Sequence, residues 1–218
     1  MSVSNARPLL RGYLHAGATV AAALGGTYLL VLSSGDRPRQ LSMLVYGASL
    51  TALFAVSAVY HLRAWAPARS RVLRRLDHAN IFVLIAATYT PIAFNVLSGW
   101  WRVGILGAVW GAALAGAGAA VAGVQLRRWT RAGLYVGMGW IALAALGQVA
   151  AALPWPAIGL LIAGGVLYSA GALLYARRWP DVWPRVFGYH EVFHLLTIAA
   201  ATAFYVLVVV YILPAPRP

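Results

Sequence analysis

The sequence predicts an all-α integral membrane protein, built as a bundle of seven transmembrane helices. Hydrophobic residues make up 62% of the 218 residues and charged residues only 10%, whereas a soluble domain carries about a quarter charged residues. Seven stretches supply the roughly 20 apolar residues that a helix needs to cross a bilayer. This composition excludes a soluble globule and a disordered chain. Because the chain has no cysteine, a disulfide-bonded secreted scaffold is excluded as well.

Breaks rich in proline, glycine and arginine separate the apolar stretches, and most tryptophans lie near these breaks, where amphipathic rings favour the membrane interface. We expect a single transmembrane domain over residues 1–218. Its predicted spans are residues 12–32, 41–62, 78–98, 103–126, 132–153, 157–176 and 189–213. The small-residue pairs Gly107/Gly111 and Gly133/Gly137 have the spacing that lets helices approach closely, which favours packing inside the bundle over a dimer face.

The arginines predict the orientation of the bundle. Thirteen of the 17 basic residues lie in one alternating set of loops: Arg7, Arg11, Arg63, Arg69, Arg71, Arg74, Arg75, Arg127, Arg128, Arg131, Arg177, Arg178 and Arg185. Positive loops remain in the cytoplasm, so the N-terminus is predicted inside and the C-terminus outside. This bias also accounts for the net charge of +13, and a nucleic-acid partner is not needed to explain it.

Ionisable residues in membrane spans are costly and indicate functional sites. With the predicted orientation, three spans place such residues at their cytoplasmic ends: Ser57 and His61 on the second, Asp77 and His78 on the third, and His190, Glu191 and His194 on the seventh. The orientation was derived from arginines alone. The convergence of these residues in one layer is therefore an independent indication of a site.

The spacing of the histidines is typical of a metal site. His190 and His194 are four residues apart and share one helix face, and His61 can supply a third imidazole. Three histidines and a water form an open, catalytic type of zinc site, in which the metal lowers the pKa of the water to about 7. Asp77 can then accept a proton, and Ser57 can donate a hydrogen bond to a developing oxyanion.

Other roles remain open for several of these residues. Asp77 can instead pair with an arginine such as Arg74 or cap the third helix, and Ser57 can bond to a helix carbonyl. His15, at the cytoplasmic end of the first span, is interpreted as a structural or supporting neighbour of the site, with a ligand role as the less favoured alternative. His78 points about 100° away from Asp77 on a helix and is the weaker ligand candidate.

Residues 190–194 also match the H-E-x-x-H pattern of metalloproteases, in which the glutamate is a general base. An intramembrane metalloprotease is therefore an alternative. No acidic residue follows Glu191 to act as a third ligand, and His61 with Ser57 beside it fits the three-histidine site better. In that interpretation Glu191 faces a neighbouring arginine or the interface.

Three segments together resemble the signature of the haemolysin III family: S-A-V-Y-H at 57–61, L-D-H at 76–78 and F-G-Y-H-E-V-F-H at 187–194. The family is grouped with the progestin and adipoQ receptors and, more distantly, with alkaline ceramidases. The resemblance implies seven helices with a cytoplasmic N-terminus, zinc held by His61, His190 and His194, and Asp77 and Ser57 near the metal. Residues 7–15 depart from the family, since many members have acidic residues there and this chain has none.

Site chemistry and resemblance together predict a zinc-dependent hydrolase that acts on a membrane lipid amide or ester, with Asp77 as general base and Ser57 near the oxyanion. A non-enzymatic sensor or receptor with structural zinc is the main alternative. The family name also suggests a cytolytic pore. A pore requires a polar stripe along a span, and residues 104–123 carry no charge, which disfavours it. The sequence predicts neither the lipid nor the oligomeric state.

Overall fold

The computed structural model describes residues 8–183 and 185–218, so Arg7, one of the arginines counted above, lies outside the described residues. Seven helical spans are long and apolar enough to cross a membrane, and the described residues form no β-strand. The predicted fold class is confirmed. The helices are α1 (Tyr13–Leu32), α2 (Arg37–Leu62), α3 (Pro67–Val96), α4 (Gly99–Ala122), α5 (Arg128–Gly139), α6 (Leu146–Ala152), α7 (Trp155–Arg177) and α8 (Tyr189–Leu207).

Two helices begin well before the apolar stretches that predicted them. The helix α2 begins at Arg37 because the Asp36 side chain accepts a hydrogen bond from the Arg39 amide at 3.1 Å, and a proline follows in the first turn. The helix α3 begins at Pro67 rather than at residue 78, so the arginine-rich interval is its first part. Arginine is a good helix former, and proline fits the first helical position. Asp77 therefore lies inside α3 and does not cap it.

The fifth span is interrupted in the middle. A 3₁₀ segment, Trp140–Ala145, separates α5 from α6. The Tyr89 hydroxyl of α3 accepts a hydrogen bond from the Ala142 amide at 2.8 Å and donates to the Gly139 carbonyl. Inside a bilayer every backbone group needs a partner, and this hydroxyl supplies one where the α-helical ladder is broken.

The close helix contacts use glycines other than those the sequence suggested. Gly26 of α1 faces Gly47 of α2 so closely that a Cβ on either residue would lie within 3.3 Å of the other Cα. A Cβ on Gly107, Gly111, Gly133 or Gly137 would meet nothing within 4 Å. The prediction that these four glycines pack inside the bundle was wrong. The spacing alone does not specify which face of a helix its neighbour occupies.

The helix α3 is the most buried span and lies at the centre of the bundle. It packs against α2, α4 and the fifth span, while α7 packs against α8, and α8 also contacts α1. Side chains of α2, α3 and α8 meet at the end that the arginine count assigns to the cytoplasm, so residues far apart in sequence come together there.

Candidate metal centre

Three histidines from two helices converge at the predicted cytoplasmic end of the bundle. One ring nitrogen each from His61, His190 and His194 lies within 4.8 Å of the others. The Nε2 atoms of His61 and His190 are 3.2 Å apart. The His190 and His194 side chains are buried, and the His61 side chain is only 10% exposed.

The geometry of the triad suits a metal ion. Two nitrogens bound tetrahedrally at 2.0–2.1 Å from one zinc ion are about 3.3 Å apart, close to the 3.2 Å between His61 and His190. The three rings are inclined to one another by 59–75°, an arrangement compatible with three imidazoles around a common centre. The Nδ1 atom of His194 is buried without a hydrogen-bond partner. A buried polar atom without a partner is costly, and metal binding would relieve such a cost at this cluster. The triad can therefore hold a metal ion.

Local structure explains why α8 presents its two histidines. The helix begins at Tyr189, directly before the first of them. The Glu191 carboxylate accepts a hydrogen bond from the Gly188 amide at 2.9 Å, which satisfies one of the free amides at the helix start. Its second oxygen accepts a hydrogen bond from the Arg11 side chain. Both carboxylate oxygens are engaged, so the structure does not favour Glu191 as the general base of a metalloprotease.

Asp77 and Ser57 lie beside the triad. The Asp77 carboxylate is 3.9 Å from His61 Nε2, and the buried Ser57 hydroxyl interacts with the same carboxylate. A carboxylate at this distance can exchange a proton with a reacting group near the histidines, directly or through one water. The structure thus brings together the site residues that the sequence predicted: Ser57, His61, Asp77, His190 and His194.

His78 belongs to a different contact. Its Nδ1 atom lies 3.1 Å from the Arg131 guanidinium, and its carbonyl accepts a hydrogen bond from the Tyr135 hydroxyl at 3.1 Å. His78 therefore faces α5 and is not one of the three converging histidines.

A cavity of about 180 Å³ extends from His190 and His194 into the bundle. Along α3 its lining runs from Asp77 to Ala93 at helical spacing and continues to Leu97, directly after the helix, a rise of about 30 Å. This length equals the hydrocarbon thickness of a bilayer. Beyond the polar end the walls are mainly apolar, with Leu84, Ile92, Leu146 and Val149 among the lining residues.

The polar end of the cavity includes residues whose role the sequence did not reveal. Arg128 and Arg131 of α5 line it, together with Tyr135 and Tyr175. Arg131 lies close enough to Asp77 for an electrostatic interaction. The two arginines are three residues apart and share a helix face. The three-residue spacing of the two arginines indicates a shared helix face in the sequence as well. From the sequence, however, these arginines indicated only the orientation of the bundle.

Comparison with known proteins identifies the family of the chain. A family model described as Haemolysin-III related matches residues 3–205. The chain belongs to the haemolysin III-related family. The resemblance inferred from the three sequence segments is confirmed, and the chain is an integral membrane protein with several spans.

Bacterial and plant proteins are similar to this chain. Hemolysin-3 of Bacillus cereus is 30% identical over 182 residues, which cover 83% of this chain and 79% of that protein. The Hemolysin-3 homolog of Bacillus subtilis (strain 168) is 28% identical over 176 residues, covering 81% and 79%. Heptahelical transmembrane protein ADIPOR2 of Oryza sativa subsp. japonica is 34% identical over 195 residues, covering 78% and 81%. The likeness therefore extends over most of each chain.

Proposed function

We propose that this haemolysin III-related protein is a zinc-dependent hydrolase of a lipid amide or ester in a bacterial plasma membrane. One observation carries the proposal: two of the three converging histidines, His190 and His194, line the polar end of a long apolar cavity together with Asp77 and Ser57, and His61 completes the cluster beside them. Imidazole nitrogens suit zinc among several metals. The bacterial location is supported by the likeness to Bacillus proteins.

The cavity determines which substrate the site can take. Its apolar walls fit an acyl chain, and they keep water away from the reacting groups, which strengthens electrostatic interactions there. A chain bound along α3 would place its carbonyl carbon at the end lined by Ser57 and Asp77. Arg131 at the same end can bind the carboxylate of a released fatty acid.

The residues have distinct roles in this proposal. His61, His190 and His194 would hold the ion. Bound zinc would act as a Lewis acid and lower the pKa of a water. Asp77 takes the proton of the attacking water as the new carbon–oxygen bond forms, and it returns this proton to the leaving nitrogen or oxygen when the acyl bond breaks. Ser57 donates to Asp77 in the free protein and to the carbonyl oxygen as negative charge develops there.

The test is hydrolysis by the purified full-length protein. Incubation with long-chain ceramides and other lipid amides and esters should release free fatty acid, measured by mass spectrometry. Asp77→Asn should retain its metal and lose roughly 10²–10⁴-fold in rate, the usual contribution of a general base. Asp36→Asn is the matched control, because Asp36 lies before α2 at the opposite end of the bundle.

Two results would contradict the proposal. Asp77→Asn with full activity would remove the assigned base. A zinc-loaded parent protein that releases no fatty acid from any lipid tested would instead favour the alternative, a sensor or receptor in which the metal only holds α2 and α8 together.

A further inference from the structure

The segment before and at the start of α1, residues 8–15, contacts all three histidines of the triad or their immediate neighbours. It will be called the entry segment. Its backbone is fixed to the loop before α8: the Leu9 amide donates to the Arg185 carbonyl at 3.1 Å, and the Leu10 amide donates to the Val186 carbonyl at 3.3 Å. The entry segment and the start of α8 are therefore held as one unit.

Arg11 links the entry segment to the residue that follows His190. Its guanidinium forms an ion pair with the Glu191 carboxylate, which is completely buried. A buried carboxylate needs an opposite charge nearby, and Arg11 supplies it. Because Glu191 also accepts the Gly188 amide, this pair fixes the first turn of α8, from which His190 projects.

Gly12 brings the entry segment against His61. Its backbone has φ +88°, a conformation that side chains disfavour. A Cβ at this position would lie 3.0 Å from the Leu62 amide nitrogen and 3.1 Å from the His61 Cβ and carbonyl carbon. Glycine therefore permits the start of α1 to lie directly on the backbone that carries His61.

His15 stacks on the third histidine. The His15 and His194 ring centroids are 3.7 Å apart, with an angle of 14° between the ring planes. The Phe54 ring contacts His15 on its edge at 5.0 Å. The His15 ring is buried, and neither of its nitrogens makes a hydrogen bond. Because the two rings are nearly parallel, their nitrogen lone pairs lie in separate parallel planes. His15 and His194 therefore cannot both bind one ion at metal–nitrogen distances of 2.0–2.1 Å.

We propose that the entry segment positions the ligands of the metal centre. Arg11 acts through Glu191, Gly12 through the His61 backbone and His15 through the His194 ring. This inference rests on the proposed zinc site. Groups that orient metal ligands typically contribute 10- to 100-fold to metal affinity. Here they would orient the imidazoles before the ion binds, and so lower the cost of ordering them.

The experiment compares His15→Ala, which removes the stacked ring, with His15→Phe, which keeps an aromatic ring and removes its nitrogens. Zinc affinity of the full-length protein is measured by competition with a chelator, and the visible spectrum of the Co²⁺ form reports the ligand geometry. We expect His15→Ala to weaken zinc binding roughly 10- to 100-fold and to change the Co²⁺ spectrum. His15→Phe should stay near the parent protein in both measurements.

A second variant tests the ion pair, and a third serves as control. Arg11→Gln should also weaken zinc binding, with thermal unfolding recorded to verify that the variant folds. Arg217→Gln removes the guanidinium that binds Asp36 at 2.9 Å, at the opposite end of the bundle, and should leave zinc affinity unchanged.

The inference is overturned if His15→Ala binds zinc as tightly as the parent protein, or if His15→Phe loses as much affinity as His15→Ala. The second result would mean that the nitrogens of His15 matter rather than its stacked ring. A parent protein that binds zinc but hydrolyses no lipid would refute the proposed function and leave the positioning role supported by these affinities.

Discussion

Replacing His194 by alanine removes one of the three imidazoles that converge within 4.8 Å. Structural zinc sites with four protein ligands bind with roughly 10–16 kcal/mol, so an even division assigns roughly 2.5–4 kcal/mol to each ligand. Since about 1.4 kcal/mol corresponds to tenfold in affinity, His194→Ala should weaken zinc binding roughly 100- to 1,000-fold. The side chain is buried, so water has little access to replace the lost ligand.

Thermal unfolding with and without added zinc measures this effect. At free zinc about 1,000 times the dissociation constant of the parent protein, the metal stabilises the parent by about 4.1 kcal/mol. The same concentration should stabilise His194→Ala by only about 0.4–1.4 kcal/mol.

The control is His78→Ala, which removes another histidine at the polar end of the cavity that faces Arg131 instead of the triad. Metal content by elemental analysis should fall in the first variant only. If His194→Ala retained one zinc per chain at the parent affinity, or if His78→Ala lost zinc equally, the assignment of the triad would be wrong.

Three further predictions concern the cavity, the fifth span and the end of the bundle opposite the histidines. Gly165 lines the cavity, and a Cβ there would make only ordinary contacts at 3.6 Å. Gly165→Leu should therefore shift hydrolysis toward shorter acyl chains. Gly118→Leu is the control and should not shift it, because a Cβ at Gly118 meets nothing within 4 Å. Tyr89→Phe removes the partner of a backbone amide in the fifth span and should lower the free energy of unfolding by about 1–3 kcal/mol, whereas Tyr28→Phe at an exposed position should have no such effect. A backbone amide of α2 and a nearby guanidinium lower the pKa of Asp36 from 3.8. The resulting stabilisation is present above the ordinary aspartate pKa and is lost as the pH falls through the lowered pKa of the folded protein. Asp36→Asn should therefore reduce the loss of thermal stability on acidification below about pH 4.

Several features of this protein followed from the sequence by itself. Hydropathy and length specify seven spans, since a helix needs about 20 apolar residues to cross the hydrocarbon region. The i, i+4 spacing places His190 and His194 on one helix face, and the arginine bias assigns them, His61 and Asp77 to one end of the bundle. These properties depend on local periodicity and on the charge of each loop, so no knowledge of helix neighbours is needed.

The contacts between helices were decided only by the tertiary structure. The pairing of Arg11 with Glu191 and the stacking of His15 on His194 join residues about 180 positions apart, and no periodic pattern specifies which faces of α1 and α8 meet. The cavity, its arginines and the break opposite Tyr89 likewise arise from how α3, the fifth span and α7 pack. In a membrane both sides of a helix are apolar, so hydropathy does not distinguish a packed face from a lipid-facing one. Close packing and internal hydrogen bonds make that choice.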